Sequence, residues 1–497
     1  MIKLSRANLP IVWKAEKPDD AVFRLPEKVL QFGTGVLLRG LPDYFIDKAN
    51  KQNIFNGRVV VVKSTAKNNT DEFAEQDGLY TVCIRGWKNN AVQSSDHLNA
   101  AISRVINANT DWPGVLACAE NKELKIIISN TTEAGIVLQA GDAINTNAAP
   151  ASFPAKLLAF LYRRYTFFNG NTDAGMVIIP TELIPENGKV LKNICLQLAK
   201  MHQLENDFIQ WLETANEFCD SLVDRIVPGK PQPEQAEEIF QSLGYEDGLM
   251  IVSESYALWA IQAKNPLVKE TLSFYQADEG VIITEDIEKY RTLKLYLLNA
   301  SHTFSCALAL QGGFRYVKEA MNDSVFDHYI KSLLLQESVR ALTNEHISKQ
   351  EAERFAEDVL DRFRNPFIEH KWSDIAKQVT LKMRMRCIPL IKMYYEKFGE
   401  APSLMIKGFA AYLLLMRTQQ DAQGNFIAAA NHTHFIAEDA NAEKLYGYWL
   451  KENAEDAVNA ILSDKDLWDD DLTSLKDFEA SVMKEVGLLM NASLEKI

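Results

Sequence analysis

The sequence predicts an α/β fold: a mostly parallel sheet domain over residues 1–286, then a mainly α-helical domain over residues 287–497. Three observations carry this. Strand-like and helix-like stretches alternate through the first half, the pattern of a parallel sheet with helices on both faces. Gly57–Thr65 (GRVVVVKST) is a continuous β-branched run, as in a strand buried on both sides. After Gly280–Asp286 (GVIITED), helical periodicity dominates and strand-like runs almost vanish. A chain of 497 residues also exceeds what one core organises, so two domains are expected.

The elements follow in order. KVLQFG reads as a strand and leads into an amphipathic helix over Val36–Lys51; GRVVVVKST is the second strand. GLYTVCIRGW (Gly78–Trp87) interrupts the rhythm as a hairpin or edge strand. WPGVLACAENKE reads as helix, LKIIISN (Leu124–Asn130) as strand, PAKLLAFLYRRYTFF as helix and GMVIIPTEL (Gly175–Leu183) as strand. GKVLKNICLQLAKMHQL returns to helix, and the prolines of VPGKPQPEQ (Val227–Gln235) mark a loop.

Composition narrows the function. Lys and Arg number 53 against 67 Asp and Glu, a net charge of −14 that argues against nucleic-acid binding. A few local arginines still suffice for an anionic small molecule. The N-terminus lacks the apolar core of a signal peptide, and the longest apolar runs, such as Phe409–Met416, are too short for a bilayer. Six scattered cysteines without a C-x-x-C pair suit reduced core thiols. The expectation is a cytoplasmic enzyme without membrane attachment; oligomeric state is not readable.

The most telling turn is at the start. Val29-Leu30-Gln31-Phe32 runs into Gly33-Thr34-Gly35 and on into Val36-Leu37-Leu38-Arg39-Gly40. A dinucleotide pyrophosphate needs backbone N–H groups at a helix start, with glycines for the turn and the close approach. Leu38 stands where the third glycine belongs, and Gly40 is the candidate to take over its packing role. A plain strand–turn–helix junction is the competing reading. The second strand ends in Lys63 and Ser64 rather than an acidic ribose ligand. That leaves NAD and NADP both open, since a lysine suits a 2′-phosphate or is simply solvated.

KLYLLNASH carries Lys294, Asn299 and His302. At about 100° per residue, Asn299 lies about 140° and His302 about 80° from Lys294, so one broad helix face holds all three. Reducing a ketone requires a proton for the developing alkoxide. A lysine partly desolvated beside a cationic nicotinamide exchanges protons readily, and Asn299 and His302 would donate hydrogen bonds to the carbonyl oxygen. The alternative is structural: a snorkelling lysine, a backbone-bonded asparagine and a satisfied core histidine. Elsewhere, His432 and His434 lack a carboxylate–cysteine set and read as a polar loop rather than a metal site. Asp464–Leu472 lacks calcium-loop spacing and reads as a solvated helix start.

Taken in order, QFGTGVLLRG, QDGLYT (Gln76–Thr81), SNTTEAGI (Ser129–Ile136), ELIPENG (Glu182–Gly188), LVDRIVPG (Leu222–Gly229), K-x4-N-x2-H and RFRNPFIEH (Arg362–His370) resemble the long-chain mannitol and polyol dehydrogenase family, in its uronate branch. The resemblance covers nearly the whole chain. It implies a Rossmann-type N-terminal domain, NAD, no metal and a sugar-acid substrate; a neutral polyol is the alternative, and a catalytically silent nucleotide sensor the reading from another class. It implies Lys294 as general acid/base with Asn299 and His302 as polarising partners, and residues 29–40 as the nucleotide turn. Val223, Asp224, Arg362 and, less strongly, Arg364 and His370 match substrate contacts. For Val223 and Asp224, helix-end packing and a capping pair with Arg225 is the competing reading. The mannitol branch has an asparagine where Leu183 stands, and Glu182 beside it is open to accepting a sugar hydroxyl or to a structural role. An arginine, Arg362 or Arg364, is the natural partner for a carboxylate.

Overall fold

The computed structural model describes every residue except 13–16, 65–70, 132–134, 140, 145–146, 432 and 492–497. His432 and part of the Ser129–Ile136 motif therefore lie outside the described residues. The chain divides into two compact units, Met1–Arg85 with Gln93–Ile287, and Gly86–Val92 with Glu288–Ile497.

The first unit is built on six parallel strands: β1 (Glu27–Phe32), β2 (Arg58–Lys63), β3 (Ile102–Asn107), β4 (Ile126–Ser129), β5 (Val177–Pro180) and β6 (Glu217–Phe218). Their spatial order is β3-β2-β1-β4-β5-β6, that of the doubly wound dinucleotide-binding fold, with the chain reversing direction of travel beside β1. Leu30 lies level with Val60 and Ile127 across the three central strands. Alternate side chains feed two cores. Leu30, Phe32, Val60, Val62 and Ile127 pack under the helices Phe153–Phe167 and Asn187–Met201. Val29, Val59, Val61 and Ile128 pack with Phe45, Ile46 and Trp259 on the other face. Both faces being dry is why β2 is uninterrupted valine; each such burial is worth roughly 1.5–3 kcal/mol.

The single helix expected over Val36–Lys51 is two, Val36–Gly40 and Pro42–Lys51. Pro42 has no N–H for the preceding turn, so the helix breaks at Leu41 and restarts with proline in its first turn. GLYTVCIRGW forms one arm of a hairpin, Tyr80–Lys88 with Ala91–Asn99. Asn89 and Asn90 turn it with φ of 54° and 59°, the conformation that fits the twist of paired strands.

The second unit is helical around Ser403–Leu415, which packs on Ala300–Gln311, where Gly408 lies against Phe304, and on Phe478–Asn491, where the Phe409 and Phe478 ring centroids are 5.7 Å apart. It also holds a small antiparallel sheet, Gln419–Gln420, Phe426–Ala430 and Thr433–Ile436. His434, expected in a loop, lies instead on the edge strand, opposite Ala429; four residues of mixed polarity gave no period to read. The acidic run does open a helix: the Asp464 side chain accepts from the N–H groups of Asp466 and Leu467.

Candidate active site

The glycine turn sits at the C-terminal end of β1, at the topological switch of the sheet, where ligands of this architecture bind. Gly33 has φ +128°, and a Cβ there would lie 2.9 Å from Leu38 Cδ1 and 3.1 Å from Asn130 O. Leu38 is therefore what fills the space behind the turn. Gly35 is the opposite case: a Cβ there meets nothing within 4 Å, so open space lies over the helix start. Gly40 gives close packing, since a Cβ would come 2.9 Å from Val227 Cγ2 and 3.4 Å from Ile251 Cδ1. Of residues 29–40, only Gly33, Thr34, Gly35, Val36 and Leu37 keep accessible surface. Arg39 points into the protein, donating to Leu249 O and stacking over Tyr80. Lys63 is buried at 5% exposure.

Beneath the turn, Gln31 Nε2 donates to Gly33 O at 3.3 Å and to Asp43 Oδ2 at 3.2 Å. Gln31 Oε1 and Asp43 Oδ1 are buried and have no hydrogen bond among the described residues. Burial pushes the Asp43 carboxyl up to about 7, against the opposing pull of the Gln31 hydrogen bond and the Arg39 charge. Sequence reading gave no sign of this carboxyl.

Val223 and Asp224 do not end a helix. They lie on the strand Ser221–Asp224, opposite Trp259 and Leu258, and are both buried. Nor does Arg225 cap them: its Nη1 donates to Gly40 O at 2.6 Å and its Nε and Nη2 to Glu254 O. LVDRIVPG is thus tied to the helix of the glycine turn. Glu182 is structural, accepting from Thr131 N at 2.8 Å, Thr131 Oγ1 at 3.0 Å and Ser129 Oγ at 3.2 Å. Leu183 is exposed. QDGLYT forms a buried lock: Gln76 Nε2 and Thr81 N both donate to Asp247, at 2.8 and 2.6 Å.

In the second unit, Lys294 and Asn299 do not stand on an ordinary α-helix. Lys294–Asn299 is a π-helical turn that runs directly into the helix Ala300–Gln311 bearing His302. Its wider i→i+5 winding changes the angular spacing that α-helical geometry predicts, though the three residues remain on one continuous element. Two further π-helical segments, Leu333–Ser338 and Met383–Cys387, pack against it. Such turns are rare and concentrate at functional sites; their residues carry no distinctive propensity, so the sequence did not announce them.

His302 is the centre of an aromatic and basic cluster. Its ring stacks on Phe363 with centroids 4.1 Å apart and meets His370 at 5.1 Å and Trp372 at 6.1 Å, both edge-on. Burial, then the charges of His370, Arg362, Arg386 and Lys382, lowers its pKa well below the usual imidazole value. His302 is therefore a neutral ring. The His370 pKa is also lowered, chiefly by burial. Arg362 is 9% exposed. Arg364 is committed elsewhere, its Nε and Nη2 donating to Asp327 Oδ1 at 2.9 and 2.7 Å. The structure thus brings His302, His370 and the segment of Arg362 together in this unit, while residues 29–40, Val223 and Asp224 belong to the first.

All six cysteines are buried and unpaired. Among the described residues, no three His, Cys, Asp or Glu side chains group as metal ligands, and no helix is long and apolar enough to cross a membrane.

Comparison with known proteins gives a consistent picture. Residues 27–273 match the mannitol dehydrogenase Rossmann domain and residues 286–490 the mannitol dehydrogenase C-terminal domain. The chain is 37% identical over 483 residues to an altronate oxidoreductase of Halalkalibacterium halodurans, covering 95% of this chain and 92% of that one. It is 39% identical over 404 residues to that of Bacillus subtilis, with 81% and 82% covered. It is 34% identical over 478 residues to that of an Escherichia coli strain, O17:K52:H18, with 95% and 96% covered. In structure it is similar to a substrate-free D-sorbitol dehydrogenase, with a TM-score of 0.77, 19% identity and coverage of 100% and 99%. A Pseudomonas fluorescens mannitol 2-dehydrogenase, solved with NAD and D-mannitol, gives a TM-score of 0.65 at 19% identity, with 99% and 98% covered.

Proposed function

We propose, from the premise that this chain belongs to the mannitol dehydrogenase family and is a CH–OH oxidoreductase, that it interconverts D-tagaturonate and D-altronate with NAD. One observation carries the reading: the likeness to altronate oxidoreductases runs through the chain at 34–39% identity.

The residues fit a nicotinamide dinucleotide. Gly33–Leu37 offer accessible backbone at a helix start, and Gly35 leaves room for a pyrophosphate to approach it. The burial of Lys63 leaves little ammonium surface for a 2′-phosphate, which favours NAD over NADP. When bound, the nicotinamide ring supplies the hydride to the keto carbon or takes it back.

The chain's own residues handle the proton and the charge. Lys294 Nζ gives a proton to the substrate oxygen on reduction and takes it on oxidation. The Asn299 amide and the neutral His302 ring donate hydrogen bonds to that oxygen as negative charge gathers on it. With Leu183 apolar and exposed, these two donors carry that stabilisation without a second amide. Asp224, the backbone of Val223, Arg362 and His370 are the proposed contacts to the rest of the sugar acid. No metal is assigned a role.

NADH absorbance with tagaturonate, fructuronate and fructose, repeated with NADPH, tests the proposal. Turnover of tagaturonate with NADH is expected. Turnover confined to fructuronate or fructose overturns the substrate, and dinucleotide binding without any turnover overturns the enzyme reading in favour of a sensor.

A further inference from the structure

A sugar acid differs from a neutral sugar by one carboxylate, and a buried site that selects it needs a cation not already neutralised by the protein. The second unit holds such a cation. Arg386 lies on the π-helical segment Met383–Cys387, which packs against both Lys294–Asn299 and the helix bearing His302. The neighbouring residue fixes the place: Cys387 Sγ rests 3.8 Å from Ala300 O, one residue beyond Asn299. Arg386 is only partly exposed.

What sets Arg386 apart is its lack of a partner. Arg364 is held by Asp327, Arg384 by Asp469, and Arg362 is itself engaged. Arg386 makes no hydrogen bond or ion pair among the described residues, and no carboxylate appears among the groups that act on its charge. Lys382, one turn earlier, is next to it electrostatically and donates only to Ile375 O, at 2.9 Å. Two acids act on Lys382 from outside, each with a partner of its own: Asp374 pairs with Lys377 at 3.4 Å, and Asp439 accepts from Thr380 N at 2.7 Å. A half-buried guanidinium with no carboxylate of its own, beside an ammonium that repels it, is a place for an anion.

Resting on the functional reading above, we infer that Arg386, seconded by Lys382, binds the carboxylate of the sugar-acid substrate and is the residue that distinguishes it from a neutral ketose. The guanidinium fork takes the two carboxylate oxygens, and Lys382 adds a point charge. Arg386 and Lys382 both act on the His302 imidazole, so the carboxylate is held on the basic side of that cluster, away from the reacting oxygen.

Steady-state kinetics of wild type, Arg386→Gln and Arg386→Lys with tagaturonate and with fructose test this. Arg386→Gln is expected to raise KM for tagaturonate on the order of 100-fold and to leave the parameters for fructose within about twofold. Arg386→Lys, which keeps the charge but loses the fork, is expected to fall between. Thermal melts identify a variant that has merely lost its fold, and Lys382→Gln, expected to raise KM for tagaturonate about tenfold, then carries the test. Equal changes for both substrates, or none for either, overturn the assignment of Arg386 while leaving the activity intact. A wild-type enzyme that reduces fructose but no keturonate overturns the functional reading itself, and this inference with it.

Discussion

His302 lies flat on Phe363, the two ring centroids 4.1 Å apart and the planes inclined by 26°. That stacking seats the imidazole in a dry, basic surrounding where its pKa falls well below the usual value. In the unfolded chain the ring titrates near about 6.5. Below that pH the unfolded chain binds a proton that the folded one refuses. The stability His302 contributes is therefore complete above the unfolded pKa and is lost as pH falls toward the folded one. His97 and His370, also lowered, act in the same direction. Chemical denaturation from pH 5 to 8 should show this acid-side loss in the wild type and a shallower one in His302→Asn. An unchanged slope in the variant counts against a neutral buried His302.

Lys294→Ala should keep dinucleotide binding, followed by NADH fluorescence, and lose turnover by roughly 10²–10⁴-fold, the range for removing a general acid/base. Lys294→Arg should not recover it, because a guanidinium does not give up its proton near neutrality. Rates like those of the wild type across the pH range in Lys294→Ala would remove this lysine from the chemistry.

Arg362→Ala asks whether carboxylate recognition is shared. Its buried side chain belongs to the same basic cluster as His302. If it contacts sugar hydroxyls, KM should rise by a similar factor, roughly tenfold, for tagaturonate and fructose alike. A rise restricted to tagaturonate would move the carboxylate contact from Arg386 to Arg362.

The sheet was legible because burial on both faces leaves a plain mark: Val59–Val62 had no other use for four consecutive valines. The glycine turn was legible for a related reason, since Gly33 at φ +128° satisfies a backbone requirement that few side chains tolerate and Gly35 leaves the helix start open. What could not be read was long-range. Nothing local in Arg225 says that it reaches Gly40 O, or in Glu182 that it closes the loop after β4. The π-helical turns were equally silent, because Leu, Tyr and Met fit either helix and only packing decides the winding. Arg364 shows the converse. Its motif suggested a ligand contact, and an Asp327 met only in the folded chain had already taken it.

Gly35 and Gly40 separate binding from folding. Gly35 has φ −62°, allowed to any residue, and open space around its Cβ position. Gly35→Ala should leave the melting temperature within about 2 °C, a surface-type change of under about 0.5 kcal/mol, yet weaken NADH binding by obstructing the approach to the helix start. Gly40→Ala should do the reverse damage, pressing on Val227 and Ile251 at a cost of about 1–3 kcal/mol. Unchanged NADH affinity in Gly35→Ala would dissociate the turn from the cofactor.

Asp43 gives a pH dependence of opposite sign to His302. Its carboxyl is fully buried below the glycine turn, and burial raises its pKa from 3.8 to about 7. Between those values the unfolded chain ionises while the folded one stays protonated, so this group's contribution is whole below 3.8 and is lost as pH rises through about 7. The full penalty above pH 7 is at most about 4 kcal/mol, from a shift of roughly three units at about 1.4 kcal/mol each. Asp43→Asn removes the charge and keeps an oxygen to accept from Gln31 Nε2. Urea denaturation at pH 8 should therefore find the variant more stable than the wild type by about 1–4 kcal/mol, with the difference shrinking toward pH 5. An Asn variant less stable than the wild type at pH 8 would mean that the carboxylate is held there by a compensating charge. The pH above which the difference between the two stabilities stops growing then reads out the folded-state Asp43 pKa.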